Sequence, residues 1–356
     1  MPEIDRFFEA MLTNGASDLH MAQARRPKYR IHGEVTATAD PALDGEGLNR
    51  MFAEIAGPDR WAEFLEQGDL DFAYALSEGR ARFRANLYRH ANGIGGVFRI
   101  IPTDILTLEQ LDMPAILKEF AQMRNGLVLV TGATGSGKST TLAAVIDFIN
   151  ANYCRKILTI EEPVEFVHKP KKSIIIQREV GSEVHSFAEA LHVAMHQDLD
   201  VILVGEMRDL ETIGLALTAA EMGVLVFGTL HTNSAPKSID RIIDVFPVDQ
   251  QAQIRTMLAD SLRGICSQAL MRKKDGGGRV AAVEILVRTP AIGSAIRDGQ
   301  TSKILSQMIA GKKVGMQLID ESIENLLRAN VISGDAAYMA ALDKERFAQH
   351  APLRQN

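Results

Sequence analysis

The sequence predicts an α/β protein in two parts: a small α+β unit, then a larger unit built on a mostly parallel sheet. Three observations carry this. A chain of 356 residues exceeds what one hydrophobic core usually serves. Its first hundred residues hold short runs of alternating apolar and polar positions, such as "KYRIHGEV" and "ARFRANLYRH", the period of half-buried strands. From Met113 onward, apolar runs alternate with helical stretches, as expected of right-handed βαβ crossovers.

The elements follow in order. A helix over residues 4–14 opens the first unit, and its strand pattern ends in "GGVFRIIP", where Pro102 interrupts pairing. Residues 1–101 are thus expected to form one domain, 102–112, including "TDILTLEQLD", a linker, and 113–356 the second domain. There the strands read "GLVLV", "KILTIEE", "SIIIQ", "DVILVGE" and "VLVFGTLH", separated by helices such as "STTLAAVIDFINAN" and "SFAEALHVAMHQ". A parallel sheet collects its functional loops at the strand C-termini. Gly276, Gly277 and Gly278 read as a hairpin turn, and the chain beyond Thr289 as mostly helical.

Composition narrows the function classes. With 46% apolar residues, 24% charged residues and a formal charge of −6, the chain is unlike a generic polyanion binder, so no nucleic acid is expected as partner. The basic stretches "ARRPKYR", "HKPKK" and "MRKKDGGGR" keep a nucleic-acid translocase as an alternative, solvated loops being the plainer reading. Cys154 and Cys266 stand too far apart, and without histidine neighbours, to make a zinc site or a disulfide framework. The opening stretch carries acids, unlike a basic, apolar leader. No apolar run approaches the roughly 18 residues that span a bilayer, so membrane association would come through a partner.

The stretch that carries chemistry is "GATGSGKST": Gly132, Ala133, Thr134, Gly135, Ser136, Gly137, Lys138, Ser139 and Thr140. It matches G-x-x-x-x-G-K-[ST] between a strand and a helix. In that motif glycines let backbone amides curl round phosphate, the lysine reaches the outer phosphates and the hydroxyl ligates Mg²⁺. Hydrolysis also needs a polarised water. Candidate carboxylates are Glu161, Glu162 and Glu165 in "ILTIEEPVEF", where Pro163 takes the chain out of regular pairing and turns Glu165 toward a nucleotide. Solvated loop charges are the alternative. In many P-loop enzymes an acid ends the strand read here as "DVILVGEMRD"; this one ends in Gly205, expected to leave room for phosphate, with Glu206 one place later. His231, in "GTLHTNS", emerges on the same edge as Lys138 and Glu206, placed to hydrogen-bond a terminal phosphate.

Taken in order with "IDRIIDVFP", these stretches resemble the secretion ATPase superfamily, and within it the type IV pilus retraction ATPases. "GASDLH", "RIHGEV", "ARFRANLY" and "VFRIIP" extend the resemblance over nearly the whole chain. It implies a PAS-like N-terminal domain joined to a RecA-like P-loop ATPase domain with C-terminal helices. Six such chains would form a homo-hexamer that hydrolyses ATP with Mg²⁺. The ring would act on an inner-membrane pilus platform protein from the cytoplasmic face, driving pilus disassembly and twitching motility. By the same resemblance residues 132–140 are the Walker A loop, Glu165 is the general base, Glu206 is the Walker B acid that arranges magnesium, and His231 belongs to the His box. Arg82, Arg84 and Arg99 match the family's nucleotide-approaching arginines, and alternation in Arg82-Phe83-Arg84 puts both arginines on one strand face.

Two stretches depart from the family pattern. The family reads I-E-D-P where this chain has Ile160-Glu161-Glu162-Pro163, and A-I-R-N-L-I-R-E where it has "AIGSAIRDG", with Gly293 and Ser294 in place of basic and amide residues. That change, with "AMHQDLD", keeps an accessory retraction paralogue open, as identity or as partner, while "LVGEMRDLETI" leans toward the retraction motor. Extension ATPases of the superfamily carry a four-cysteine zinc element and extra N-terminal sequence, which this chain lacks, so retraction is the expectation.

Overall fold

The computed structural model describes residues 2–31, 34–76, 81–101 and 104–351. The chain divides into two compact units, Met1–Asp104 with Glu162–Val167, and Ile105–Glu161 with His168–Asn356. The division falls within the stretch read as a linker, but Leu108 is only 2% exposed and packs with Leu117 and Phe120 in a core cluster of the second unit. Pro102, expected to interrupt pairing, lies outside the described residues.

In the first unit β1 (Asp18–Ala22), β2 (Lys28–Ile31), β3 (Glu34–Ala37), β4 (Asp69–Ala75), β5 (Arg82–His90) and β6 (Gly93–Ile101) form one sheet in the order β3-β2-β1-β6-β5-β4. Every neighbouring pair is antiparallel. Helices Asp5–Thr13, Gly45–Ala56 and Pro58–Gln67 supply apolar residues to its core. There Phe8 stacks on Phe83 at 4.3 Å and meets Phe98 edge-on at 5.2 Å. Strand alternation makes this possible: Phe83, Ala85 and Leu87 of β5 are buried, and Arg82, Arg84 and Asn86 fall on the opposite face.

The second unit holds β7 (Gly126–Thr131), β8 (Lys156–Glu161), β9 (Ile174–Glu179), β10 (Val201–Val204), β11 (Leu225–Leu230), β12 (Leu262–Arg272) and β13 (Arg279–Val287). Their order is β13-β12-β7-β11-β10-β8-β9; all pairs are parallel except β12 with β13. β7, β10 and β11 are buried at every position, because helices cover both faces, and that is why they read as near-continuous apolar runs. Val128 and Val130 pack with Leu142, Val145 and Ile149 of helix Lys138–Asn152. Leu127 and Leu129 belong to the cluster formed with helices Leu210–Glu221, Ala235–Asp244 and Val248–Ser261.

The glycine run turns the β12–β13 hairpin, with Gly276 and Gly278 at φ 75° and 103°. Helices Pro290–Arg297, Ile304–Ala310, Ile319–Arg328 and Gly334–Ala340 follow. The helix expected across "SFAEALHVAMHQ" is shorter, Phe187–Ala194; the chain turns soon after, with Asp198 at φ 51°. No helix among the described residues is long and apolar enough to cross a membrane.

Candidate nucleotide site

β7, β11 and β10 are parallel neighbours, with Thr131 paired to Leu230 and Val204 to Gly228. Their C-terminal ends therefore deliver Gly132, His231 and the Gly205–Glu206 step to one edge of the sheet. The chain leaves β7 through Gly132 at φ 146°. A Cβ there would lie 2.4 Å from the Gln268 carbonyl oxygen and 2.5 Å from Ser136 Oγ, so only glycine fits. Gly135 and Gly137 also take positive φ, and helix Lys138–Asn152 starts with no side chain capping its amides. Free amides at a helix N-terminus attract anions.

The loop is held from two sides. Lys138 Nζ donates to the carbonyls of Gly132 (2.9 Å) and Ala133 (3.2 Å), and Gln268 Nε2 of β12 donates to the Ser136 carbonyl (2.7 Å). Ala133, Thr134, Gly135 and Ser139 are exposed. Ser136 Oγ is buried and has no hydrogen-bond partner among the described residues. Glycine cradle, uncapped amides and ammonium together fit the phosphates of a nucleotide.

Gly205 serves a purpose other than the one expected. Its N–H donates to the Ile160 carbonyl (2.7 Å), and a Cβ would lie 3.0 Å from that oxygen and 3.2 Å from Glu161 Cα. The missing side chain lets the end of β10 close on β8 rather than clearing space for phosphate. Thr229 Oγ1 then donates to the Gly205 carbonyl (2.5 Å), and Met207 N–H to the Thr229 carbonyl (3.1 Å). These bonds turn the chain toward β11 and bring Glu206 to His231.

Glu206 Oε1 lies 3.0 Å from His231 Nε2, and Arg208 grips both carboxylate oxygens at 2.5 and 2.6 Å. Burial works to raise the Glu206 pKa, but the Arg208 hydrogen bond and the nearby charges outweigh it and hold the carboxyl below its ordinary range. His231 Nδ1 sits 3.5 Å from Thr134 Oγ1, the outer limit of a hydrogen bond. The imidazole thus stands between Glu206 and the exposed crest of the phosphate loop.

The first unit holds the other candidates. Glu165 belongs to its Glu162–Val167 segment, and Glu165 Oε1 lies 4.0 Å from Arg84 Nη1. Arg84 also binds Asp71, its Nε lying 3.1 Å from both carboxylate oxygens. Arg99 Nε donates to the buried carboxylate of Asp18 at 2.7 Å. Arg82 shares the face of Arg84 on β5 and is partly buried. The Glu162–Pro163 peptide is cis. Glu161 remains in the second unit, accepting from Thr159 Oγ1 (2.8 Å) and Gln177 Nε2 (3.3 Å).

The stretch "AIGSAIRDG" lies on helix Pro290–Arg297, with Ile292, Gly293, Ala295 and Ile296 buried. A Cβ on Gly293 would lie 3.1 Å from the Arg288 guanidinium, whose Nε donates to the Ala259 carbonyl (3.1 Å). Arg297 pairs with Asp260 at 2.8 Å. Gly293 therefore makes room for an arginine. The residues that sequence reasoning passed over are Gln268, Arg208 and a buried polar row, Thr131, Ser267 and Glu284, visible in sequence only as polar interruptions of apolar strands.

A parallel sheet with a glycine-lysine phosphate loop at its C-terminal edge defines a P-loop nucleotide-binding protein. The chain belongs to the family described as Type II/IV secretion system protein, whose model matches residues 1–313. It is 47% identical to the type IV pilus retraction ATPase PilT of Pseudomonas aeruginosa, over 94% of this chain and 96% of the relative. It is 36% identical to the type IV pilus ATPase PilU of the same organism, over 94% and 87%. Among solved structures, the pilus retraction motor PilT with bound ADP matches with a TM-score of 0.89 and 40% identity, covering 98% of this chain and 99% of that one.

Proposed function

We propose that this chain is an ATP-hydrolysing motor that powers type IV pilus retraction. It works as a homo-hexamer at the cytoplasmic face of the inner membrane, turning a platform protein so that subunits leave the pilus base. The observation that carries this reading is near-full-length similarity to a pilus retraction ATPase, joined to a phosphate loop of suitable geometry. Higher identity to PilT than to PilU favours the retraction motor over its accessory paralogue.

The loop amides of residues 132–140 and Lys138 bind the β- and γ-phosphates. Ser139 and Glu206 would hold magnesium, which neutralises charge on the transferring phosphoryl group. The donor set suits that ion, because magnesium takes one or two protein oxygens and keeps several waters. Arg208 and His231 would hold the Glu206 carboxylate in place for that ion, which would supply positive charge beside the phosphates.

Glu165 takes the proton of the attacking water. Arg82, Arg84 and Arg99 offset charge on the phosphoryl group. His231, between Glu206 and Thr134, responds to the presence of the terminal phosphate. A strain lacking the gene, complemented with Glu165→Gln, tests the whole reading through twitching and surface piliation. Hyperpiliated, non-motile cells support retraction, whereas bald cells would mean extension. ATP turnover of the purified chain that rises with DNA in a salt-sensitive way would instead favour a translocase.

A further inference from the structure

Three buried polar side chains form a row across the second sheet. Register sets Glu284 of β13 beside Ser267 of β12, Ser267 beside Thr131 of β7, and Thr131 beside Leu230 of β11. Glu284, Ser267 and Thr131 are each no more than 3% exposed. The row ends one residue before Gly132 on β7 and lies level with the residue before His231 on β11.

Helix Ala235–Asp244 begins over this row. The Ala235 N–H donates to Glu284 Oε1 at 2.7 Å. Ser238 Oγ lies 3.4 Å from Thr131 Oγ1 and 2.6 Å from Thr232 Oγ1, and Thr131 Oγ1 lies 2.7 Å from Ser267 Oγ. The four residues from His231 to Ser234 are therefore pinned at both ends, by β11 and by the helix start.

The same carboxylate reaches in a second direction. The Ile319 backbone, at the start of helix Ile319–Arg328, acts on this carboxylate, and the Ile285–Gln317 backbone hydrogen bonds of 2.8 and 3.0 Å hold that helix start against β13. Beside it the Val283 N–H donates to Ser322 Oγ (3.0 Å), and Asp320 accepts the N–H groups of Leu342 and Asp343 at 2.8 and 2.9 Å. One side chain thus joins the His231 loop to the C-terminal helices.

A carboxylate is a costly way to fill this place. Burial pushes the Glu284 pKa up, the Ala235 and Ile319 backbone groups pull it back, and Asp320 pushes it up again. No Lys, Arg or His ion pair to Glu284 occurs among the described residues. An apolar side chain would pack here without the desolvation penalty. What it could not do is accept the Ala235 N–H at the start of one helix while its polar head lies beside the start of another.

We propose that Glu284 is a positioning residue that couples the His231 loop to the C-terminal helices, so that a nucleotide-dependent shift of His231 is felt at helix Ile319–Arg328. The inference rests on the ATPase reading above. It goes further in naming the route by which the phosphate loop reaches the C-terminal segment.

The test uses the purified full chain with Glu284→Gln, His231→Ala and the double variant. Three quantities are measured: steady-state ATP turnover, ADP affinity, and amide hydrogen exchange over residues 319–322 with and without ADP. Glu284→Gln keeps one carbonyl acceptor. It is expected to hold ADP affinity within about twofold while lowering kcat about tenfold, and to lower kcat no further when His231 is already alanine. ADP is expected to change exchange at 319–322 in the parent chain but not in Glu284→Gln. A lowered Tm with kcat and the ADP response intact would make Glu284 structural only. A kcat loss that multiplies with that of His231→Ala would overturn the route through His231. If the parent chain shows no Lys138-dependent hydrolysis, the motor reading fails, and the exchange response to ADP still decides the coupling.

Discussion

Glu206 owes its position to Gly205, because close approach of β10 to the Ile160 carbonyl sets where the next residue turns. Gly205→Ala should lower Tm and weaken the Glu206–His231 contact, seen as a shifted His231 imidazole resonance. The two glutamates proposed to act on ATP separate by readout. Glu165→Gln should retain ATP binding while turnover falls about 10²–10⁴-fold, the scale of a general base. Glu206→Gln should instead abolish the gain in ATP affinity that Mg²⁺ confers, leaving affinity in chelator unchanged. His168 gives a pH prediction. Burial lowers its pKa to about 4 from 6.5, and its Nδ1 has no partner among the described residues. The unfolded chain therefore takes the proton first, so the contribution is complete above pH 6.5 and is lost as pH falls toward 4. Between pH 7.5 and 5 this amounts to about 2 kcal/mol. Denaturant midpoints at the two pH values should differ accordingly, and His168→Gln should flatten the difference. Lys138 and its loop were legible because a local motif specifies them. Gln268 was not, because it meets Ser136 only through the pairing of β12 with β7.

Helix Leu210–Glu221, directly after the Glu206 turn, is started by Asp209, whose carboxylate accepts the Thr212 N–H and hydroxyl, both at 2.8 Å. Asp209→Ala should cost about 1 kcal/mol of stability and Asp209→Ser much less, as measured by denaturant unfolding. β7, β10 and β11 were readable because burial on both faces leaves mainly apolar runs. β4 was harder: "DLDFAYA" alternates exposed Asp69 and Asp71 with buried Leu70 and Phe72 over only four residues, and Ala73, Tyr74 and Ala75 carry no alternation. Thr131, Ser267 and Glu284 show in the sequence as polar breaks in apolar strands, but nothing there says that they form a row. Those residues stand far apart along the chain and become neighbours only when strand register is fixed.

Assembly and connectivity belong to the whole molecule. A homo-hexamer predicts a six-chain mass in solution and turnover that rises with chain concentration; a monomer with full specific activity would contradict the ring. The division into units has a further consequence, because the chain passes from one to the other at 104/105, 161/162 and 167/168. The larger unit thus carries, between β8 and β9, a segment that belongs to the smaller one and includes Glu165 and the buried Val164 and Phe166. A protease site engineered between Asp104 and Ile105 should therefore yield two pieces that co-elute under native conditions. Residues 1–104 made alone should be a split-protein half, recovering its fold when the remainder is supplied in trans.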